Sequence, residues 1–203
     1  MEREQRGTSS NQLRRYSNGA IVLHWAIAGL IIANIIIGVR MRDMEGASKL
    51  DFIQAHESIG LSVMMLSLIR IGWRIAHRPP ALPPDMRRWE RWLAHSVHAG
   101  LYLIMFALPL SGWILVSTKI ALPPISLFGA VPWPWFPMVH DLASNNPKEF
   151  GGIPALAHVL LGRITLLLIL LHLAGAFKHM TFRDGTVWRM LPLRPLLPRR
   201  PKN

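Results

Sequence analysis

Residues 153–177 read IPALAHVLLGRITLLLILLHLAGAF. At roughly 20 residues per crossing, this run is long enough to span a hydrocarbon layer as a single helix. It carries two histidines, His158 and His172, placed 14 residues apart. That spacing is close to four helical turns, so both lie on nearly one face, about 21 Å apart along the axis. Ionisable side chains inside a spanning helix are costly and usually face a bundle interior or a cofactor.

Three more apolar runs precede it, at 19–39, 53–75 and 93–116. The expectation is a single membrane domain over 1–203: an all-α, integral membrane four-helix bundle. The first run is not a convincing signal peptide. It is too long, contains His24 and Asn34, and is followed by Arg40, Met41 and Arg42 instead of a small-residue cleavage site. The prolines of HRPPALPPD (77–85) stop the second helix. The basic, Trp-rich MRRWERWL that follows is expected to lie along the headgroup interface. PPISLFGAVPWPWFP (123–137) reads as a non-helical aromatic cap on the membrane surface.

Of the 203 residues, 51% are hydrophobic, yet Lys and Arg number 23 against 11 Asp and Glu, a formal charge of +12. The two properties fit together if apolar segments sit in lipid and basic ones beside anionic headgroups, so membrane lipid and not nucleic acid is the expected partner. Basic residues gather before the first helix (Arg3, Arg6, Arg14, Arg15), in the second connection (Arg78, Arg87, Arg88, Arg91) and from Lys178 onward. Both termini and the second loop are therefore expected in the cytoplasm. The outer loops carry five basic and five acidic residues and sum to zero. With no cysteine in the chain, disulfides, thiolate-ligated iron–sulfur clusters, covalent c-type haem and a cysteine nucleophile are excluded.

Six histidines fall within the spans: His24, His56, His95, His98, His158 and His172. Depth sorts them. His24 and His172 stand near the cytoplasmic ends of the first and fourth spans, and His56 and His158 near the outer starts of the second and fourth. Each pair can therefore face across the bundle at one level. Zinc normally needs three or four protein ligands, whereas two opposed imidazoles suit the axial positions of a haem. Two such pairs predict two haem b groups, stacked across the membrane. Each of the four histidines has a small residue one turn later (Ala28, Gly60, Gly162, Ala176), against which a macrocycle can lie. His98 competes for the inner level, but Tyr102 one turn on would crowd a ring, so His98 is assigned to the surroundings of the haem or to a quinone pocket. Arg70 shares the face of His56 at the inner level and is assigned to a haem propionate. Arg163 either pairs with Glu57 or lines an outer cavity.

The segments YSNGAIVLHW, IQAHESIGLSVMMLSLIRIGWR, LAHSVHAGLYLIMFALPLSGW and AHVLLGRITLLLILLHLAGAFKHMTFRDGTVWRMLP, in that order over about residues 16–192, resemble the bacterial cytochrome b561 family. That family sits in a larger group with the cytochrome b subunits of nickel hydrogenases and formate dehydrogenases. The family pattern carries axial ligands onto the same pairs, His24 with His172 and His56 with His158. The resemblance implies a bacterial inner-membrane protein exchanging electrons with quinone. One member type oxidises superoxide and reduces ubiquinone; under that reading Lys119, with Arg40 or Arg42, would attract the anion at the outer face. The alternative is a membrane anchor passing electrons between a redox partner protein, a dehydrogenase or hydrogenase, and quinone. A third reading, a haem-free transporter with a histidine proton relay, is disfavoured by the depth pairing. The 117–152 loop is longer than in a minimal member.

Overall fold

A computed structural model describes residues 15–82, 86–119, 124–145, 152–182 and 186–192. Among these, four helices are long and apolar enough to cross a membrane: α1 (Asn18–Arg40), α2 (Gly46–Ala76), α3 (Arg88–Ser117) and, after a short α4 (Val139–Asn145), α5 (Ile153–Thr181). The chain is an all-α membrane bundle, as its apolar runs required. The spans overrun those runs. α2 starts at Gly46 and not near residue 53, because the polar residues before the apolar stretch do not break a helix. The Arg/Trp-rich segment expected as a separate interfacial piece is instead the first turns of α3, continuous with the span. The expected stop after α2 holds, with the helix ending at Ala76.

The start of α1 and the end of α2, at the end of the bundle termed inner, are tied by side chains whose roles are local. Ser17 caps α1, its Oγ accepting from the Ala20 N–H at 3.4 Å and from Trp73 Nε1–H of α2 at 2.8 Å. A Cβ on Gly19 would lie 2.3 Å from the Trp73 ring, so only glycine lets the indole approach there. The tail folds back on the start of α1: Trp25 Nε1 donates to the Met190 carbonyl at 2.9 Å, and Arg15 donates to the Leu191 carbonyl.

Packing is sequential. α1 lies against α2, α2 against α3, and α3 against α5. No Cα of α5 comes within 8 Å of α1 or of α2. The fourth helix therefore closes the bundle on one side only and faces α1 and α2 across a gap.

The connection from α3 to α4, at the opposite end termed outer, is a cap pinned to two helices. A two-stranded antiparallel hairpin, β1 (Ser126–Leu127) and β2 (Val131–Pro132), turns through Phe128 and Gly129, both in the left-handed region at φ 51° and 71°. Phe128 keeps that conformation because its N–H donates to Ser58 Oγ of α2 at 2.9 Å. On α3, Ser117 Oγ accepts from the Phe136 N–H at 2.8 Å, and Trp113 Nε1 donates to the Pro134 carbonyl at 2.9 Å. Both serines are fully buried. Ile125, 1% exposed, is thereby seated among Leu61, Met64 and Val116. The prolines of the cap do exclude a helix before Val139.

Candidate functional site

The structure brings the four depth-matched histidines together in the expected couples. His24 of α1 and His172 of α5 have ring centroids 6.1 Å apart; His56 of α2 and His158 of α5 are also 6.1 Å apart. Each couple joins two helices with no Cα atoms within 8 Å of one another, so the rings meet across the space between them. The separation has a chemical meaning. An imidazole nitrogen binds a transition metal at about 2.0 Å, and its ring centre lies about 1.1 Å behind that nitrogen, so one metal between two rings holds their centres about 6.2 Å apart.

Hydrogen bonds fix the outer tautomers. His56 Nδ1 lies 3.1 Å from the Asn34 carbonyl, which can only accept, so Nδ1 carries the proton. His158 Nδ1 lies 2.9 Å from Ser111 Oγ, whose single proton is donated to the Leu108 carbonyl at 2.7 Å; Oγ therefore accepts from Nδ1–H. In both rings Nε2 retains its lone pair, the form a metal requires. Glycines on facing helices make room for these rings. A Cβ on Gly38 would stand 3.1 Å from His56 Cε1, and one on Gly112 would stand 3.1 Å from His158 Cε1.

Around the outer couple is a cavity of about 470 Å³, bounded by α1, α2, α3, α5 and Ile125 of the cap. Gly60 and Gly162, two of the small residues noted one turn beyond a histidine, line it, and a Cβ on Gly162 would meet no atom within 4 Å. Its charged residues are Arg42, Glu57, Lys119 and Arg163. Arg40 is not among the lining residues. An apolar cavity of this size with opposed imidazoles fits a haem, which His56 and His158 would hold.

At the inner level, His98 of α3 lies 5.4 Å from His172. That is short of the spacing one metal needs, and α3 packs directly on α5, leaving no width for a macrocycle. His98 is exposed beside the couple. Arg70 also reaches this level: its Nε donates to Tyr102 Oη at 3.1 Å, one turn from His98 on α3. With Nε engaged, its two terminal nitrogens remain to grip a carboxylate. The remaining histidines lie away from the couples. His95 is exposed and bonded to the Arg91 carbonyl, His77 stacks on Trp73 at 4.4 Å, and His140 stacks on Trp135 at 4.6 Å.

A family model described as prokaryotic cytochrome b561 matches residues 15–193. The chain belongs to the prokaryotic cytochrome b561 family. Its relatives include Cytochrome b561 homolog 2 of Escherichia coli (strain K12), 31% identical over 189 residues, which cover 90% of this chain and 94% of that protein. Probable superoxide oxidase CybB of Yersinia pestis is 24% identical over 181 residues, covering 88% and 97% of the two chains. Cytochrome b561 homolog 1 of Escherichia coli (strain K12) is 26% identical over 187 residues, covering 90% and 99%. Membership in the cytochrome b561 family makes this a membrane electron-transfer protein and implies b-type haem. The imidazole couples, their tautomers and the cavity fit that group.

Proposed function

We propose that the chain is a two-haem cytochrome of the bacterial inner membrane that oxidises superoxide at its outer face and reduces ubiquinone. In this reading His24 and His172 would hold one haem at the inner level, and His56 and His158 would hold the other at the outer level. The observation that carries it is the two imidazole couples at 6.1 Å, each between helices whose Cα atoms stay more than 8 Å apart. Bound there, haem b supplies a one-electron iron centre at each level. Overall, two superoxide ions each give up one electron and leave as dioxygen, while one quinone takes both electrons and two protons to become quinol.

The chain's own residues serve this in distinct ways. Asn34 and Ser111 hold the outer imidazoles in the Nδ1–H form. Arg42 and Lys119 give the outer cavity a cationic rim that draws in a small anion. His98, exposed at the inner level, is placed to hydrogen-bond a quinone arriving from lipid. Basic residues at both termini and in the second loop hold those segments in the cytoplasm. The likeness to a probable superoxide oxidase supports the choice of donor.

The test is direct. Purified protein should release about two non-covalent haems per chain by the pyridine haemochrome assay. Generated superoxide should reduce them without any added protein, and ubiquinone should reoxidise them. Reduction that survives superoxide dismutase would overturn the choice of donor. A second reading has one observation in its favour. The cap exposes Phe128, Val131 and Met138 at 68%, 55% and 74%, apolar surface of the kind a partner covers. If reduction appears only with a dehydrogenase or hydrogenase subunit, the chain is that partner's membrane anchor.

Arg70 should tune the inner level only. A fixed positive charge favours the reduced, less positive iron, so Arg70→Leu should lower the inner midpoint potential. The expected shift is tens of millivolts, where about 59 mV is a tenfold change for one electron. The outer midpoint should stay put in the same potentiometric titration.

A further inference from the structure

We propose that Arg163 binds a propionate of the outer haem and thereby sets that haem's potential; this rests on the two-haem reading above. Arg163 stands ten residues into α5 from Ile153, about 15 Å from the outer helix end. It is the deepest of three cations in the cavity wall, since Arg42 lies beyond the outer end of α1 and Lys119 beyond that of α3. Its neighbours along the helix, Leu160, Ile164 and Leu166, are exposed apolar residues. A guanidinium in such surroundings is expensive to keep without a counter-charge. Yet among the described residues Arg163 has no ion pair and no hydrogen bond, and Glu57, the only carboxylate of the cavity wall, is not paired with it. The wall thus holds three cations to one carboxylate, an excess of two.

Two features point Arg163 at the cofactor. Side chains on a helix lean toward its N-terminus, which for α5 is the outer end, so an extended Arg163 rises toward the level of His158. Arg163 also directly follows Gly162, where the cavity is open beyond the backbone and a macrocycle has room to lie. A haem brings carboxylates, and a guanidinium grips a carboxylate through two parallel N–H donors. Arg42 and Lys119, nearer the surface, are left for a solute anion.

The test uses the purified holoprotein. Arg163→Leu should raise the oxidised-to-reduced ratio of the outer haem about tenfold at a fixed poise, or about 59 mV for one electron. The inner haem should not move. Redox-difference infrared spectra with ¹³C-labelled propionates should show a shifted carboxylate band. Arg163→Lys keeps the charge but not the two-pronged grip, and should restore most of the potential without restoring the band. Loss of the outer haem from Arg163→Leu but not from Arg163→Lys also supports the assignment. An unchanged potential and band, or a shifted potential with an unchanged band, overturns it, as does loss of the haem from both variants. Wild-type protein without haem would instead bring down the two-haem reading itself.

Discussion

Alanine at His56 or at His158 should leave the purified protein with one haem in place of two, and the survivor should be the inner one. Each change removes one of the two rings that would hold the outer metal, now 6.1 Å apart, and a lone imidazole is a poor substitute for an opposed pair. The same variants should lose all reduction by a membrane-impermeant donor added outside. Alanine at His24 or His172 should give the complementary loss, because those rings form the other couple. His98→Ala should keep both haems, since its ring is too near His172 and its helix is packed on α5. Haem quantification with low-temperature spectra of each variant checks the set. If His98→Ala strips a haem while His24→Ala leaves both, the inner ligand assignment is wrong.

Lys119→Glu should slow reduction by superoxide about tenfold or more at low salt, and the deficit should shrink as salt is added. The outer loops have no net charge to steer an anion, so the pull must be local. Lys119 lines the cavity at the end of α3. Opposite charges raise encounter rates by about 10- to 1,000-fold. That influence fades beyond a Debye length of about 10 Å at 0.1 M salt. Lys202→Glu, in the C-terminal tail, should leave the rate alone. Stopped-flow traces across a salt series separate the two variants, and equal rates for Lys119→Glu and wild type would remove Lys119 from the site.

What could be read from the sequence was whatever a single helix carries within itself. A bilayer crossing demands an unbroken apolar run, so four runs announced four spans. The 14-residue spacing of His158 and His172 fixed their separation in depth, and depth then matched each to a partner. Helix ends were less legible, because polar residues before the apolar stretch of α2 continue the helix without signalling it. Features acting between helices were not legible. Gly38 and Gly112 make room for rings belonging to α2 and α5, and nothing near them in sequence says so. Ser111 holds His158 from 47 positions away, and Ser58 holds Phe128 from 70. The sequence allows Arg163 two roles; the structure favours the cavity over Glu57, because no ion pair joins the two.

The gap between α5 and its two non-neighbours has a consequence for biogenesis. Among the described spans α5 follows the other three in the chain, and only α3 brings its Cα atoms within 8 Å of it. Its remaining alignment comes from imidazoles that meet those of α1 and α2 through whatever lies between them. Under the two-haem reading the prosthetic groups are the mortar of that wall, in the way a structural metal can supply the free energy that holds a small domain together. A chain made when haem is scarce would carry a loosely hinged α5 and an open apolar cleft, the surface that membrane proteases and chaperones survey. Abundance in the membrane would then follow haem supply as closely as gene expression, and maturation would be complete only when both levels are filled.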